Sequence, residues 1–406
     1  MANITTLNVL LYNELVGTLT KLPDDQIIFA FDQSYINNQN RPTLSLSFKD
    51  QLGGLITEIP PARSKLPAFF SNLLPEGYLR EYLTTSMQVD KNNEFALLSL
   101  LGQDLPGAIT VTPAGHLNLS SSESKKEHRK VYEDNILKFS LAGVQLKFSA
   151  VEISKRLTIP AHGIGGSWIV KLPSIRFPNI AENEFSIMRL ASLIGINVPD
   201  IKIIPIGDVG GLPKNIGALK GNAFAIERFD RPGHELKHIE DFAQVFGVYP
   251  ENKYERASYK DLAEVIYIEG GVPSLEEFIR RLVFNSLIGN ADMHLKNWSL
   301  IYSDRITAAI APAYDFVSTI AYIEDKTMAL KYVKRKFTAE LSVDLLSYLS
   351  AKAKLPERLV INTAKQTVQK FFEVWEKEKT HLLLRNDNIQ IIERHFNGIL
   401  LVKEVR

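Results

Sequence analysis

The sequence predicts an α+β protein with three parts: a β-rich N-terminal part, a mixed β/α lobe and a mostly helical C-terminal lobe. Residues 1 to about 60 alternate short apolar runs with turn residues, as the strands of a small sheet do. Residues 138 to 235 combine strand-type runs with one amphipathic helix. After about residue 240, apolar residues recur at helical spacing.

Length and composition exclude several classes of protein. A chain of 406 residues with 45% hydrophobic and 23% charged residues predicts a globular protein of two or three domains. Its net charge of +1 does not indicate a nucleic-acid binder. The absence of cysteine excludes disulfides, thiolate zinc sites and a cysteine nucleophile, and it favours a reducing compartment. With neither a signal-peptide pattern nor a long apolar run, we expect a cytoplasmic protein without a membrane span.

The N-terminal part is expected to form a small antiparallel sheet followed by helices. The predicted strands are Leu7–Tyr12, Ile27–Phe31 and Leu44–Phe48. The predicted helices are Leu66–Thr85 and Asn92–Leu101, with Gly102 placed as a C-terminal cap. The polar run Ser120–Lys130 is typical of a solvated loop and marks a boundary. We therefore divide the chain into residues 1–118, 119–235 and 236–406.

The second part begins with a strand, a tight turn and a strand over Phe139–Ala150. Gly143 would let the backbone of this turn approach a ligand closely, and such a turn can direct amide N–H groups at phosphate oxygens. An ordinary hairpin turn would look the same, since one glycine is a weak signal. A second hairpin turn at Gly163–Gly166 has no chemistry assigned to it.

A lysine at the end of one strand is followed by a glutamate on a helix. Lys171 ends the strand-type run that starts at Ser167, and Glu184 lies in the amphipathic segment Glu182–Leu193. Protein kinases use this order to build the ion pair that orients the α- and β-phosphates. Glu182 could replace Glu184 in that pair.

Two further strands are predicted at Asn197–Ile204 and Ala223–Asp230. In a two-lobed enzyme the second of them would end at the hinge between the lobes. Its backbone groups could there pair with the edge of an adenine. From the residues alone, a surface strand end with a structural ion pair is the better interpretation.

The C-terminal part is expected to be a helical lobe. Apolar spacing predicts helices over Asp261–Ile268, from Ser274 onward and over Leu359–Trp375. Ser274 and Glu277 are spaced as a capping box. The helix that starts there should be deeply packed and should deliver the chain rigidly into Asn290–Asn297.

The residues that follow this helix have the spacing of a phosphotransferase centre. Asp292 and Asn297 stand five positions apart, as in the catalytic loop Asp-x-x-x-x-Asn. A predicted hairpin over residues 298–310 would bring Asp315 back beside Asn297. Asp292 would orient the attacking hydroxyl and accept its proton, and Asn297 and Asp315 would hold Mg²⁺ on ATP.

Three separated motifs resemble the HipA family of bacterial serine/threonine kinase toxins. They are Asn290–Ser299 with Tyr314–Phe316, Phe70–Gly77 and Phe139–Lys147. The resemblance covers nearly the whole chain and implies a protein-kinase-like, two-lobed fold behind a HipA-type N-terminal subdomain. It also implies an aminoacyl-tRNA synthetase or another translation protein as substrate, and a HipB-like DNA-binding antitoxin as partner.

The resemblance implies roles for individual residues as well. Ser140 stands where the family carries a regulatory autophosphorylation site. His294 is placed at the nucleotide. The full set that the resemblance and the spacing assign to ATP consists of Ala142, Gly143, Val144, Gln145, Leu146, Lys147, Lys171, Glu184, Glu227, Arg228, Phe229, His294, Asn297, Tyr314 and Asp315.

Two alternatives remain at this stage. Asp292-x-His294-x-x-Asn297 also resembles the loop of lipid kinases, and small-molecule kinases share the same Asp, Asn and Asp. The chain could instead be a non-catalytic kinase-fold co-repressor that binds DNA with its antitoxin. Lys331, Lys334, Arg335 and Lys336 form the densest basic cluster, which is more typical of a solvated face than of a DNA contact. No glycine follows Asp315-Phe316, unlike the eukaryotic pattern.

Overall fold

The computed structural model describes residues 5–114, 146–154, 156–160, 165–212 and 219–406. The boundary loop predicted at Ser120–Lys130 and the predicted autophosphorylation site Ser140 lie outside these residues. So do the predicted nucleotide contacts Ala142, Gly143, Val144 and Gln145, and part of the turn predicted at Gly163–Gly166. No helix within the described ranges is long and apolar enough to cross a membrane.

The N-terminal unit is a five-stranded antiparallel sheet covered by short helices. Its strands have the order β4-β3-β2-β1-β5 and are β1 Thr6–Leu11, β2 Glu14–Lys21, β3 Gln26–Phe31, β4 Ala62–Arg63 and β5 Ile109–Pro113. Its helices are α1 Gln33–Asn37, α2 Ala68–Ser71, α3 Gly77–Met87 and α4 Glu94–Leu101. The core between them is aromatic, with the rings of Phe29 and Phe70 4.8 Å apart.

One prediction for this unit was wrong. Residues Leu46–Phe48 form a 3-10 turn rather than a strand, because the Ser45 hydroxyl caps the turn by accepting from the Ser47 N–H. The helical segment predicted at Leu66–Thr85 forms as two helices, α2 and α3, because Pro75 and the positive φ of Gly77 interrupt it.

The central unit is a second antiparallel sheet with one long helix against it. Its strands have the order β7-β6-β8-β10-β9 and are β6 Lys147–Ile153, β7 Arg156–Thr158, β8 Trp168–Lys171, β9 Ile201–Pro205 and β10 Asn222–Glu227. Helix α5, Ile180–Leu193, ends before Gly195, whose φ of +94° favours glycine. Lys147 pairs with Lys171 across β6 and β8, so both ammonium-bearing residues lie at one end of the sheet.

The C-terminal unit is mostly helical. It comprises α6 Phe242–Val245, α7 Tyr259–Leu287, α8 Val343–Ala353, α9 Glu357–Glu378, α10 Asn386–Phe396 and α11 Leu400–Val405. Helix α7 continues through the predicted gap between two helices and is kinked at Gly271, whose φ is +64°. The capping box occurs at Ser258 and Asp261, not at Ser274 and Glu277 as predicted.

The predicted capping residues serve the hairpin and the sheet instead. The Ser274 hydroxyl accepts from the Ile310 N–H, and the Glu277 carboxylate accepts from the Asn197 N–H and binds Arg281. The hairpin itself is confirmed: β12 Ser299–Tyr302 pairs antiparallel with β13 Ala309–Ile310, and β11 His238–Asp241 lies on its other side. This arrangement returns the chain toward the loop that follows α7.

A buried carboxylate joins the N-terminal unit to the small sheet. Glu240 on β11 accepts from the Ser45 hydroxyl at 2.5 Å, from the Leu46 N–H at 3.0 Å and from the Tyr302 hydroxyl. Beside it, Nε2 of His238 lies 2.8 Å from the Leu44 carbonyl oxygen. Burial raises the pKa of Glu240 from 4.5 to about 7 even though three donors point at it.

This carboxylate predicts a pH dependence of stability. Between about pH 5 and 7 the folded protein binds the Glu240 proton and the unfolded chain does not, so the free energy of unfolding should fall as pH rises. The contribution is about 1.4 kcal/mol for each unit of pKa difference. Denaturant unfolding across this range should therefore show a shallower decline for Glu240→Gln than for the wild type.

The matched control is Glu264→Gln on α7, where the glutamate forms a partly exposed ion pair with Lys260. The free energy of unfolding of this variant should decline with pH as steeply as that of the wild type. The same decline in the Glu240→Gln protein would mean that Glu240 is ionised in the folded state.

Candidate active site

The end of α7 fixes the loop that carries Asp292. Asn290 is buried, and its amide nitrogen donates to Oδ1 of Asn285 at 2.9 Å. Its own Oδ1 accepts from the Asp292 N–H at 3.1 Å. The Ala291 N–H donates to the Thr319 hydroxyl at 2.8 Å. The backbone before Asp292 is therefore held by side chains from two directions, as a preorganised site requires.

Asp292 and Asn297 are brought together within this loop. The Asn297 amide nitrogen donates to the Asp292 carbonyl oxygen at 2.8 Å, which leaves its amide oxygen as the atom suited to a cation. The Asp292 carboxylate is solvent-exposed at the mouth of the site and accepts from the Tyr254 hydroxyl at 2.6 Å. Desolvation by the surrounding protein raises the pKa of Asp292, and the Tyr254 hydrogen bond opposes that rise.

Asp315 returns to this loop on the hairpin. Its φ of +58° is unusual for a residue with a side chain, and it turns the carboxylate toward the central sheet. The Tyr314 hydroxyl anchors the turn: it lies 2.5 Å from the Ser299 hydroxyl and donates to the Lys296 carbonyl oxygen at 2.9 Å. On the other side, Phe316 is fully buried against Phe284.

Lys171 joins the central sheet, helix α5 and Asp315. Its ammonium lies 2.5 Å from Oε1 of Glu184 and also pairs with Asp315. Both carboxylates raise the pKa of Lys171, and its ammonium, with that of Lys147, holds the pKa of Asp315 well below the usual range. Glu182 does not take part, since it accepts from the Asn222 amide. Of the two candidate glutamates, the structure therefore places Glu184 at Lys171.

The cluster carries more negative charge than one ammonium neutralises. Burial raises the pKa of Glu184 to about 7, and the nearby Asp315 adds to the effect. The second oxygen of Glu184 is buried without a hydrogen-bond partner in the part of the chain that the structure describes. An unsatisfied buried carboxylate oxygen beside a second carboxylate is the environment that a divalent cation relieves.

The oxygen donors present fit Mg²⁺ rather than a softer metal. Asp315 supplies a carboxylate and Asn297 an amide oxygen, and Mg²⁺ is commonly held by one or two such groups together with phosphate and water. Within the described ranges no cluster of three His, Cys, Asp or Glu side chains could hold a metal by itself. The site suits a cation that arrives with a phosphorylated ligand.

His294 is buried beside the loop in its neutral form. Burial lowers its pKa to about 3, and its Nδ1 has no hydrogen-bond partner among the described residues. The ring packs edge-on against Tyr254, with centroids 4.9 Å apart. A neutral imidazole with a buried, unpaired nitrogen could form one hydrogen bond with a ligand without adding charge.

Two residues predicted at the hinge, Arg228 and Phe229, have side chains in different surroundings. Arg228 is buried and forms ion pairs with Asp230 at 2.8 Å and with Asp104 at 3.5 Å, so its side chain is structural. The structural ion pair weighed against the hinge role does form, and a contact of the Arg228 backbone with the nucleotide stays a prediction. The Phe229 ring instead lies 5.8 Å from the Tyr314 ring.

Sequence reasoning missed the residues that surround Asp292 on its acceptor side, the side from which a phosphate-accepting hydroxyl would approach. Tyr254 donates to Asp292, and Lys253 forms a 2.8 Å ion pair with Glu76 of the N-terminal unit. Lys296 of the loop donates to the Asn72 carbonyl oxygen at 2.9 Å. These contacts join segments 38 to 224 residues apart, and no local pattern marks such pairs. Glu76 and Asn72 do lie in the motif Phe70–Gly77, which indicated the family but not these contacts.

The ion cluster predicts the effect of removing the Lys171 ammonium, which contacts both carboxylates. Lys171→Met leaves Glu184 and Asp315 as facing carboxylates, and breaking a buried pair in this way costs about 3–5 kcal/mol. The loss should be smaller near pH 5 than near pH 8, because the two carboxylates of the variant can take up protons at the lower pH. Denaturant unfolding at both pH values measures it.

Lys377→Met is the control, since that lysine pairs with Glu373 on an exposed helix face. It should change the free energy of unfolding by less than about 1 kcal/mol. An equal loss in the two variants would contradict the coupling of Lys171 to both carboxylates.

The chain is similar to known proteins over both halves. Residues 7–112 match the HipA N-terminal domain, and residues 139–375 match the HipA-like C-terminal domain. The Y4dM protein of Sinorhizobium fredii, which is named as a kinase, is 50% identical over 410 residues, covering 100% of this chain and 99% of that protein. The serine/threonine-protein kinase toxin HipA of Shewanella oneidensis is 29% identical over 293 residues, covering 64% of each chain.

A solved structure shares the fold. HipA of Shewanella oneidensis, in complex with HipB and operator DNA, has a TM-score of 0.73 at 24% identity, covering 98% of this chain and 99% of that one. The likeness confirms the predicted α+β, protein-kinase-like fold with a β-rich N-terminal subdomain. Together with the two domain matches and the 50% identical relative, it shows that this chain belongs to the HipA family of kinases.

Proposed function

We propose that this chain is an ATP- and Mg²⁺-dependent serine/threonine protein kinase of the HipA toxin type. The observation that carries the proposal is the convergence of Lys171, Glu184 and Asp315 in one buried cluster. Asp292 and Asn297 lie on a rigid loop beside it. A phosphotransferase of this kind needs a phosphate-orienting lysine, two cation ligands and a carboxylate that faces solvent.

The chain's own residues account for the parts of the transfer. Lys171, held by Glu184, steadies the phosphates, and Lys147 adds positive charge at the same end of the sheet. Asn297 and Asp315 are the residues that would hold Mg²⁺, which when bound neutralises phosphate charge. Asp292 accepts the proton of the attacking hydroxyl as the oxygen of that hydroxyl bonds to the γ-phosphorus and ADP leaves. Its exposed position lets a macromolecular acceptor reach it.

The remaining nucleotide contacts follow from the same placement. We propose that Leu146, Phe229, His294 and Tyr314, with the backbone of Glu227, border the nucleotide. His294 would contribute its unpaired Nδ1, and Phe229 would contribute its ring. Ala142, Gly143, Val144 and Gln145 stay proposed phosphate contacts on the strength of the motif they share with the family.

The division into residues 1–118, 119–235 and 236–406 is also proposed. Three hydrophobic clusters support it: one in the N-terminal unit, one on the outer face of the central sheet, and a large one in the C-terminal unit. Helix α5 contributes Ile187 and Leu190 to the third cluster, so the two kinase lobes share part of a core.

For the biological setting we propose a toxin that acts in the cytoplasm on a protein of translation. A HipB-like antitoxin would restrain it, with DNA met through that complex. The support is the family, together with the relative named as a kinase toxin and the related complex that contains HipB and operator DNA. A lipid or small-molecule kinase would use the same Asp292, Asn297 and Asp315, so acceptor profiling with proteins, lipids and aminoglycosides separates the classes.

The proposed base predicts a selective loss of activity. Asp292→Asn should lower the rate of phosphoryl transfer by about 10²- to 10⁴-fold, because a positioned base contributes that much. The affinity for ADP with Mg²⁺, measured by calorimetry, should stay near the wild-type value. The control Asp304→Asn changes an exposed carboxylate in the hairpin turn that accepts from the Ile306 and Thr307 backbone N–H groups, and it should transfer phosphate normally. Transfer by Asp292→Asn at the wild-type rate would refute the assignment.

The chain is predicted to phosphorylate itself at Ser140. Intact-mass spectrometry before and after incubation with ATP and Mg²⁺ should show one added phosphate in the wild type. Asp292→Asn and Ser140→Ala should each show none. Peptide mapping that places the phosphate on another residue would overturn the role of Ser140 and leave the kinase assignment intact. Absence of transfer to itself and to every acceptor class would favour the non-catalytic co-repressor.

A further inference from the structure

A short segment lies along the catalytic loop and contacts Asp292. This strap, residues 248–257, connects α6 to α7. Its Tyr254 hydroxyl donates to Oδ1 of Asp292 at 2.6 Å, and the Tyr254 ring packs edge-on against His294. The Lys253 carbonyl oxygen accepts from the Leu295 N–H at 3.2 Å. The strap therefore touches the catalytic loop through backbone and side chains together.

The contact to Asp292 leaves half of the carboxylate open. An ionised carboxylate has two oxygens and about four acceptor positions. Tyr254 engages Oδ1 and restricts rotation of the group, so the other oxygen keeps a defined direction. The side chain of Tyr254 is 42% exposed, which places this contact at the solvent side of the site, where an acceptor hydroxyl arrives.

The N-terminal unit fixes the strap and the catalytic loop at the same time. The Asn72 amide nitrogen donates to the Val248 carbonyl oxygen at 2.7 Å, while Lys296 donates to the Asn72 carbonyl oxygen and to its Oδ1. Glu76 pairs with Lys253 at 2.8 Å and lies 3.6 Å from Lys296. Two residues of the N-terminal unit thus clamp both partners of the contact between Tyr254 and Asp292.

We propose that Tyr254 is the positioning residue of the Asp292 carboxylate, and that the N-terminal unit, through Asn72 and Glu76, holds the strap and the loop in register for phosphoryl transfer. The inference rests on the proposed kinase function. It gives the N-terminal unit a direct part in the chemistry: it builds the acceptor side of the site, while the central sheet builds the nucleotide side.

The geometry predicts the direction of each effect. The Tyr254 hydrogen bond holds the Asp292 carboxylate in one orientation, so its removal should let the carboxylate rotate away from the attacking hydroxyl. A misplaced base slows the chemical step and leaves nucleotide binding unchanged. A hydrogen bond to a charged group contributes about tenfold in rate or more. If Tyr254 instead blocked the site, its removal would speed transfer.

The test compares Tyr254→Phe with the wild type. Single-turnover transfer at saturating ATP and Mg²⁺ should be about tenfold slower at neutral pH, with the affinity for ADP unchanged. Glu76→Gln, which weakens the clamp but leaves the Tyr254 hydroxyl in place, should slow transfer by less. Tyr348→Phe, on the surface of α8, is the control and should match the wild type.

A second readout needs no activity. Carboxyl ¹³C NMR of the full chain with labelled aspartate, assigned through Asp292→Asn, reports on the Asp292 carboxylate directly at one neutral pH. Its chemical shift should change in Tyr254→Phe and stay in place in Tyr348→Phe. An unchanged chemical shift, or a faster transfer, would overturn the positioning role. If the wild type transfers no phosphate at all, the proposed kinase function fails, and the NMR comparison still decides whether Tyr254 holds the Asp292 carboxylate.

Discussion

The buried contact of Lys171 with Glu184 and Asp315 is the constraint on which the arrangement of the lobes depends. Its three members come from a strand, a helix and the turn after the hairpin, and each is fixed by its own packing. Burying three charges costs several kcal/mol of desolvation, and their mutual attraction offsets this only when the geometry is good. The cluster can therefore form only if the central sheet, α5 and the hairpin have all reached their native positions.

The N-terminal unit is coupled to the rest of the chain through polar contacts at two levels. Glu240 joins it to the small sheet through Ser45 and Leu46, and Lys296 joins it to the catalytic loop through Asn72. Both contacts involve buried or half-buried groups, so loss of either removes a hydrogen bond that water does not fully replace. This argues for a fixed placement of the unit beside the site, rather than for a loosely tethered domain.

The sequence predicted the nucleotide side of the site better than the acceptor side, for a physical reason. Asp292, Asn297, Lys171 and Glu184 follow spacings that the chemistry of phosphoryl transfer imposes along the chain. Tyr254 and Glu76 reach Asp292 and Lys253 only through the fold. No motif marks Tyr254, and the motif that contains Glu76 does not indicate its partner. The functional roles of all these residues stay predictions, although the structure brings most of them together.

Local predictions failed where a side chain could either stabilise the local structure or form a tertiary contact. Ser274 and Glu277 have capping-box spacing, but they bind Ile310 and Asn197 because α7 continues through them. Leu44–Phe48 alternates like a strand, yet the Ser45 hydroxyl caps a turn there. In each case the tertiary contacts outweighed the local conformational preference of the segment.

The burial of Phe316 bears on how such an enzyme could be inhibited. Its ring is 1% exposed and packs against Phe284 of α7, and the residue after Asp315 is not a glycine. Moving this phenylalanine outward would open a void in the core that costs about 3–5 kcal/mol. Compounds that work by trapping a displaced phenylalanine would have to supply that energy from their own binding. Compounds that bind in the cleft around Lys171, or on the acceptor side beside Tyr254, would contact a surface that is already formed.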